Sequence, residues 1–173
     1  MRSLINFTGG PPKFSAAAWA PRTIQDVTVE APFEFGPGPD ISAQLPPQVR
    51  DAISYMQIYQ GSGTPKTFVA MLSRIGYKPG TPTSLDGAVA GAMKNMGAAI
   101  GDPNPKYAAA AVTVSGLQGR KVSYHRQASG QTVNIDSVFA MKEQKLWQLQ
   151  VIYQHPESAG AVNRMIQSLK ITP

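Results

Sequence analysis

The stretch RKVSYHRQASGQTVNID, residues 120–136, brings Ser123, His125 and Asp136 close together in the chain. A serine hydroxyl, an imidazole and a carboxylate are the three parts of a nucleophile, its base and the group that orients the base. The same stretch carries Arg120, Lys121 and Arg126 beside the amide of Asn134, so it also has the makings of a binding surface for a protein or a polar ligand. A third possibility is a plain one: antiparallel strands alternate, and the polar residues are then the side that faces water. Geometry weighs against the nucleophile. Two residues apart on one strand, Ser123 and His125 point nearly parallel and stand roughly 6 to 7 Å apart at the backbone. Nothing nearby supplies an oxyanion hole or a nucleophile elbow.

Which of these applies depends on the elements that hold the residues. The chain has 173 residues, enough for one domain with a core that needs no staples. With no cysteine, disulfides, thiolate metal sites and cysteine nucleophiles are excluded, and two histidines with scattered carboxylates give no metal site. No cofactor is expected. The formal charge is +6, which raises the question of an anionic partner, but the 16 Lys and Arg residues are dispersed, with Arg120 and Lys121 the adjacent pair. That dispersal describes a solvated basic surface more than a nucleic-acid footprint. No segment reaches the ~18 to 20 apolar residues of a membrane span. The start, MRSLINFTGGPPKFSAAAWAPR, has no continuous apolar leader, so the expected location is the cytoplasm, or the periplasm or cell envelope if a leader has been removed. Its Ala, Pro and Gly content predicts a flexible tail over residues 1–22, followed by a single domain over 23–173. Asn6-Phe7-Thr8 matches a glycosylation sequon of a kind that arises by chance.

Within the domain, TIQDVTVEAPFEFG reads as two short strands bent at Pro32, the second carrying Phe33 and Phe35. Residues 48–59 fit a helix by Val49, Ile53 and Met56 and a strand by the alternation from Ile53 to Tyr59. With TFVAMLSRIGY after a GSGTPK loop, a hairpin is the preferred expectation. TSLDGAVAGAMKNMGAAIG is an amphipathic helix with Thr83 as its cap, Asp86 in its first turn, and Leu85, Val89, Ala92, Met96 and Ile100 on one stripe. Gly87 and Gly91 then mark a close approach to a sheet, and Met93 and Met96 fill core. Four antiparallel strands follow. A loop over Leu117-Gln118-Gly119 sets Val114 opposite Val122, and the reversal at Ser129-Gly130 sets Tyr124 opposite Ile135, His125 opposite Asn134 and Ser123 opposite Asp136. An odd loop within MKEQKLW sets Phe139 opposite Leu149 and Ile135 opposite Tyr153. Trp147, Leu149, Val151 and Tyr153 would then share the core face of Val122 and Tyr124. A closing helix presents Val162, Met165, Ile166 and Leu169, with Lys170 complementing its dipole and His155 capping its start.

Strands, helix, four antiparallel strands and helix make an α+β domain, an antiparallel β-sheet flanked by helices. VTVEAPFEF, the helix entry from Tyr77 to Ala88 (YKPGTPTSLDGA), VSGLQGRKV, LWQLQVIY and RMIQSLKI, in that order over residues 23–171, resemble the PsbP-like fold. It is shared by the PsbP extrinsic proteins of photosystem II, DcrB-type bacterial envelope lipoproteins and a Ran-binding nuclear-transport factor. The resemblance implies an α/β/α sandwich and a non-enzymatic accessory or binding domain, with another protein or a polar ligand as partner. It carries over no active-site residue, and the metal association of the photosystem members has no motif here. On the derived registers one polar face holds Lys121, Ser123, His125, Thr132, Asn134, Asp136, Gln148, Gln150 and Gln154, with Arg126 beside them. This is the candidate binding face, with His125 as a pH-sensitive contact. A small hydrolase using Ser123, His125 and Asp136, and a weak anion or nucleic-acid binder, are the alternatives.

Overall fold

The computed structural model describes residues 9–128 and 130–173, so the sequon at Asn6, the first eight residues and Ser129 lie outside the described part. Of the span read as a tail, the described residues pack on the domain. Phe14 meets the edges of Trp19, Phe33 and Phe68 at centroid distances of 6.2, 6.0 and 5.3 Å, and Thr67 donates a hydrogen bond to the Gly10 carbonyl at 2.7 Å. Strand β1 (Ala20–Ile24) begins inside that span and pairs with β2 (Val27–Ala31). Val27, Val29 and Ala31 are buried in strict alternation. The expected strand through Phe33 and Phe35 does not form. Pro32 offers no N–H to continue the ladder, and only β3 (Gly36–Pro37) pairs further on.

Residues 48–59 realise both options, a short helix α1 (Pro47–Ala52) leading directly into β4 (Ile53–Ser62), which forms the expected hairpin with β5 (Phe68–Tyr77). Helix α2 (Leu85–Ala99) starts one residue later than expected. Ser84, not Thr83, caps it, accepting a hydrogen bond from the Gly87 amide at 3.1 Å, while Thr83 donates to the Glu143 carbonyl. Gly87 and Gly91 are exposed and mark no close approach; a Cβ at Gly91 would meet nothing within 4 Å. The close contact is at Gly97, where a Cβ would lie 2.3 Å from the Asp102 carbonyl oxygen as the chain folds back after the helix.

A meander follows: β6 (Ala108–Val114), β7 (Leu117–Ala128), β8 (Gln131–Lys142) and β9 (Lys145–Tyr153). The β7–β8 register is the expected one, with Tyr124 opposite Ile135, His125 opposite Asn134 and Ser123 opposite Asp136. Its neighbours differ. The first hairpin turns at Ser115-Gly116, both at positive φ (51° and 79°), so Val114 faces Leu117, not Val122. That geometry follows the twist of the strands and is the favoured two-residue turn. The third hairpin turns on Glu143-Gln144 with Glu143 at φ 52°, which sets Phe139 opposite Gln148 and Ile135 opposite Ile152. A slip of one residue sends every side chain of a strand to the other face. Accordingly Trp147, Leu149, Val151 and Tyr153 lie on the face of Ser123 and Asp136.

After a 3-10 turn at Pro156–Ser158, helix α3 (Ala159–Ser168) runs into β10 (Lys170–Ile171). Lys170 therefore pairs with Thr28 in a ladder instead of serving the helix end. Seven strands in the order β3-β4-β5-β9-β8-β7-β6 make the main sheet, and β1-β2-β10 make a smaller one. Both faces of the main sheet are packed. On one, Val138, Trp147, Leu149 and Val151 meet Val27, Val29 and Ile171 of the small sheet and Val162 and Met165 of α3. On the other, Val122, Tyr124, Ile135, Phe139 and Ile152 meet Val89, Met93 and Met96 of α2. The α+β architecture with antiparallel sheets is thus the expected one, with the small sheet and α3 together forming the layer opposite α2.

Candidate functional site

Alternation along β7 and β8 puts Lys121, Ser123, His125, Thr132, Asn134 and Asp136 on one face, as expected. Arg126, Gln148 and Gln150 are on the other. Arg126 belongs with Val122 and Tyr124 by parity and donates to the Ile100 carbonyl at the end of α2, at 2.9 Å. Gln148 and Gln150 moved with the β9 register, Gln148 opposite Phe139 and Gln150 opposite Ser137, and they hydrogen-bond each other at 2.8 Å. The expected face residues of β7 and β8 that share parity remain together, and Gln154 joins three of them at one end.

The hydrogen bonds among them decide what they can do. Ser123 donates to Asp136 Oδ1 at 2.9 Å, and Tyr153 donates to Asp136 Oδ2 at 2.8 Å. His125 Nδ1 is 2.5 Å from Asn134 Oδ1. A nucleophile needs its base on the hydroxyl and its orienting carboxylate on the base. Here the carboxylate holds the serine and a side-chain amide holds the histidine, so the three groups are not wired as a triad. Burial, reinforced by the hydrogen bond and charge of Asp136, raises the Tyr153 phenol well above its usual range. On the opposite face Tyr124 is pushed up to about 12 by burial and by its 2.8 Å hydrogen bond to Asp102. Neither tyrosine is an acid near neutrality.

At the Gly130 end of this face the surface opens into a cleft of about 510 Å³ lined by His125, Gly130, Thr132, Asn134, Tyr153, Gln154, His155, Pro156 and Ala159. It holds both histidines of the chain. His155 does not cap the turn after β9 with its side chain; its Nε2 donates to the Gly9 carbonyl at 2.8 Å. With Nε2 of His155 and Nδ1 of His125 donating to oxygen acceptors, the remaining ring nitrogen of each neutral imidazole is an acceptor. Gln154, expected beside His125, lines the cleft with it, whereas Tyr153, Pro156 and Ala159 come to the site from the β9–α3 junction, which the residue-121–136 pattern could not reveal. The signal that would have found them was the Glu143-Gln144 turn, and a left-handed glutamate is not advertised by its residue type. Among the described residues no three His, Cys, Asp or Glu side chains are placed to hold a metal ion, and no helix is long and apolar enough to cross a membrane.

No family model and no curated protein matches the sequence. Solved structures do match the fold. The solution structure of a cyanobacterial PsbP (CyanoP) from Synechocystis sp. PCC 6803 superimposes with a TM-score of 0.60 over 95% of this chain and 99% of that one, at 8% identity. A protein of unknown function from Pseudomonas aeruginosa, PA94, gives 0.46 at 15% identity over 90% of this chain and 98% of that one. LpqN, involved in cell envelope biogenesis of Mycobacterium tuberculosis, gives 0.46 at 14% identity over 94% and 90%. At such identities the likeness is one of backbone, and no residue role passes across it. With CyanoP matched from end to end and the order of strands and helices agreeing with the sequence pattern, the chain has the PsbP-like fold.

Proposed function

We propose that the chain is a non-enzymatic accessory or binding domain, and that the histidine cleft is where a polar loop of a partner protein docks. The observation that carries this is the convergence of His125, Thr132, Asn134, Gln154 and His155 on one open cleft. Pockets for small molecules are largely enclosed and apolar with a few polar groups. This one is open and mixed, its polar side chains set among Tyr153, Pro156 and Ala159, which suits a loop that brings its own hydrogen-bond donors to the two imidazole acceptors. Lys121 and Ser123 lie further along the same face and extend the contact area, while Asp136 is occupied by Ser123 and Tyr153 and serves to order them.

Capture from native extract with the full chain as bait tests this. A partner should be retained by the wild type and its affinity lowered about tenfold or more by His125→Ala or Thr132→Arg, as for central interface residues, with circular dichroism and melting unchanged. Equal retention by both variants removes the cleft from the contact. As a control on the hydrolase alternative, any esterase turnover seen in the preparation should survive Ser123→Ala.

A further inference from the structure

The two edges of the main sheet are finished differently. On one side β3 is two residues long and ends in proline. On the other, β6 runs from Ala108 to Val114 in unbroken register with β7, and it carries no charge, no proline and no bulge. Natural sheets blunt their edges with those devices, because an open edge is a row of unpaired N–H and C=O groups. Ala108 to Ala111 are exposed on both faces, no strand pairs beyond them among the described residues, and the exposed Tyr107 immediately precedes them.

Two cations beside this edge are without an ion-pair partner among the described residues. Lys121 stands opposite Ala110 on β7, and the exposed Lys106 lies just before β6. Neither makes an ion pair among the described residues. Of the nearby carboxylates, Asp86 is ion-paired with Arg120, while Asp102 and Asp136 keep their charge but are held in place by Tyr124 and by Ser123 and Tyr153. Strands lie ~4.8 Å apart, so a strand added to β6 would run ~10 Å from β7. A lysine stem on β7 can meet a carboxylate across that gap, because the alanines between them do not stand in the way. A second copy of the chain is the poorer occupant. Pairing β6 with β6 would bring both sets of lysines to one seam between two molecules of formal charge +6.

We propose that β6 is a docking edge that takes an extended segment of a partner protein as an added strand, with Asp or Glu at alternate positions. Main-chain hydrogen bonds supply the affinity and the alternate side chains the selectivity. This rests on the β6 edge and on Lys121 behind it, and the shifts along residues 108–114 read it whether or not the cleft binds.

The probe is a synthetic heptapeptide alternating valine and glutamate, with its valine–lysine counterpart as control, titrated into the isotope-labelled full chain and read by amide NMR. Shifts and slowed exchange concentrated at residues 108–114 are expected with the glutamate peptide. Lys121→Gln should weaken binding severalfold and Lys121→Glu about tenfold or more, each checked for folding by circular dichroism. Ala111→Pro, at a position where an edge tolerates proline, should weaken it through the backbone. The proposal is overturned by an absence of shifts along β6, by equal binding of the lysine peptide, or by the same shifts on concentrating the chain alone, which would make a second copy the occupant.

Discussion

Asp26 shows how much one side chain in a turn can hold. It follows Gln25, whose φ of 55° closes the β1–β2 hairpin, and its Oδ1 accepts hydrogen bonds from Arg74 Nε at 2.7 Å and Trp147 Nε1 at 3.1 Å. The small sheet is thereby tied to two strands of the large one, through side chains only 17% (Asp26) and 14% (Arg74) exposed. Burial by itself would raise the Asp26 carboxyl, but the hydrogen bonds from Arg74 and Trp147 and the Arg74 charge outweigh it, holding the group below the usual carboxylate range. A carboxyl depressed on folding stabilises above its unfolded value of about 4 and stops doing so as pH falls through the lower folded value. Asp26→Asn should therefore cost about 1.5–3 kcal/mol at pH 7, the range for hydrogen bonds to a charged group. Urea titrations should show the gap between variant and wild type narrowing steadily below pH 4. A gap that is constant from pH 7 to pH 3 would mean that the charge of Asp26 plays no part. The same discipline applies to Ser123, His125 and Asp136: their types were legible as chemistry, yet their pairing made Ser123 a donor to Asp136 and gave His125 to Asn134.

At the level of elements, strand and helix identity followed from alternation and periodicity, and registers followed only where the turn announced itself. Ser129-Gly130 gave the same β7–β8 pairing for either even loop length, and that pairing is present. Glu143-Gln144 did not announce itself. The hydrophobic pattern of MKEQKLW favoured an odd loop, and the chain instead accepts a left-handed glutamate because the slip lets Trp147, Leu149 and Val151 meet the small sheet and α3 while Leu146 and Ile152 meet α2. A sheet packed on both faces has no wet side to register against, so apolar matching across one pair of strands is a weak guide. The strain at Glu143 is local. Glu143→Asn, a residue that visits this conformation more readily, should raise the urea midpoint by an amount worth about 0.5–1 kcal/mol, whereas Glu143→Val should lower it.

Over the whole molecule, Phe14 and Trp19 ahead of β1 complete the core. Phe14 lies within edge-to-face distance of Phe68 of β5, Phe33 and Trp19, and Arg164 of α3 stacks its guanidinium 4.2 Å over the Trp19 ring. Phe14→Ala should lower stability by about 1–3 kcal/mol, less than for a fully buried phenylalanine, read as a reduced urea midpoint with an unchanged slope; a change within a few tenths would show those residues to be an appendage. Composition alone placed them in a tail, since Ala, Pro and Gly say nothing about where an isolated aromatic will land. What the sequence by itself determined was the kind of domain: α+β, antiparallel, without cysteine chemistry, with β7 and β8 in register and Ser123, His125 and Asp136 on one face. Those properties are local, set by side-chain period and by turns whose residues favour one geometry. Tertiary structure decided the rest. It placed Gln148 and Gln150 on the face opposite His125, brought His155 from the β9–α3 junction to the cleft that His125 lines, and left the outer side of β6 unpaired among the described residues. These depend on contacts between segments far apart in the chain, where a shift of one residue in a single hairpin changes which side chains meet.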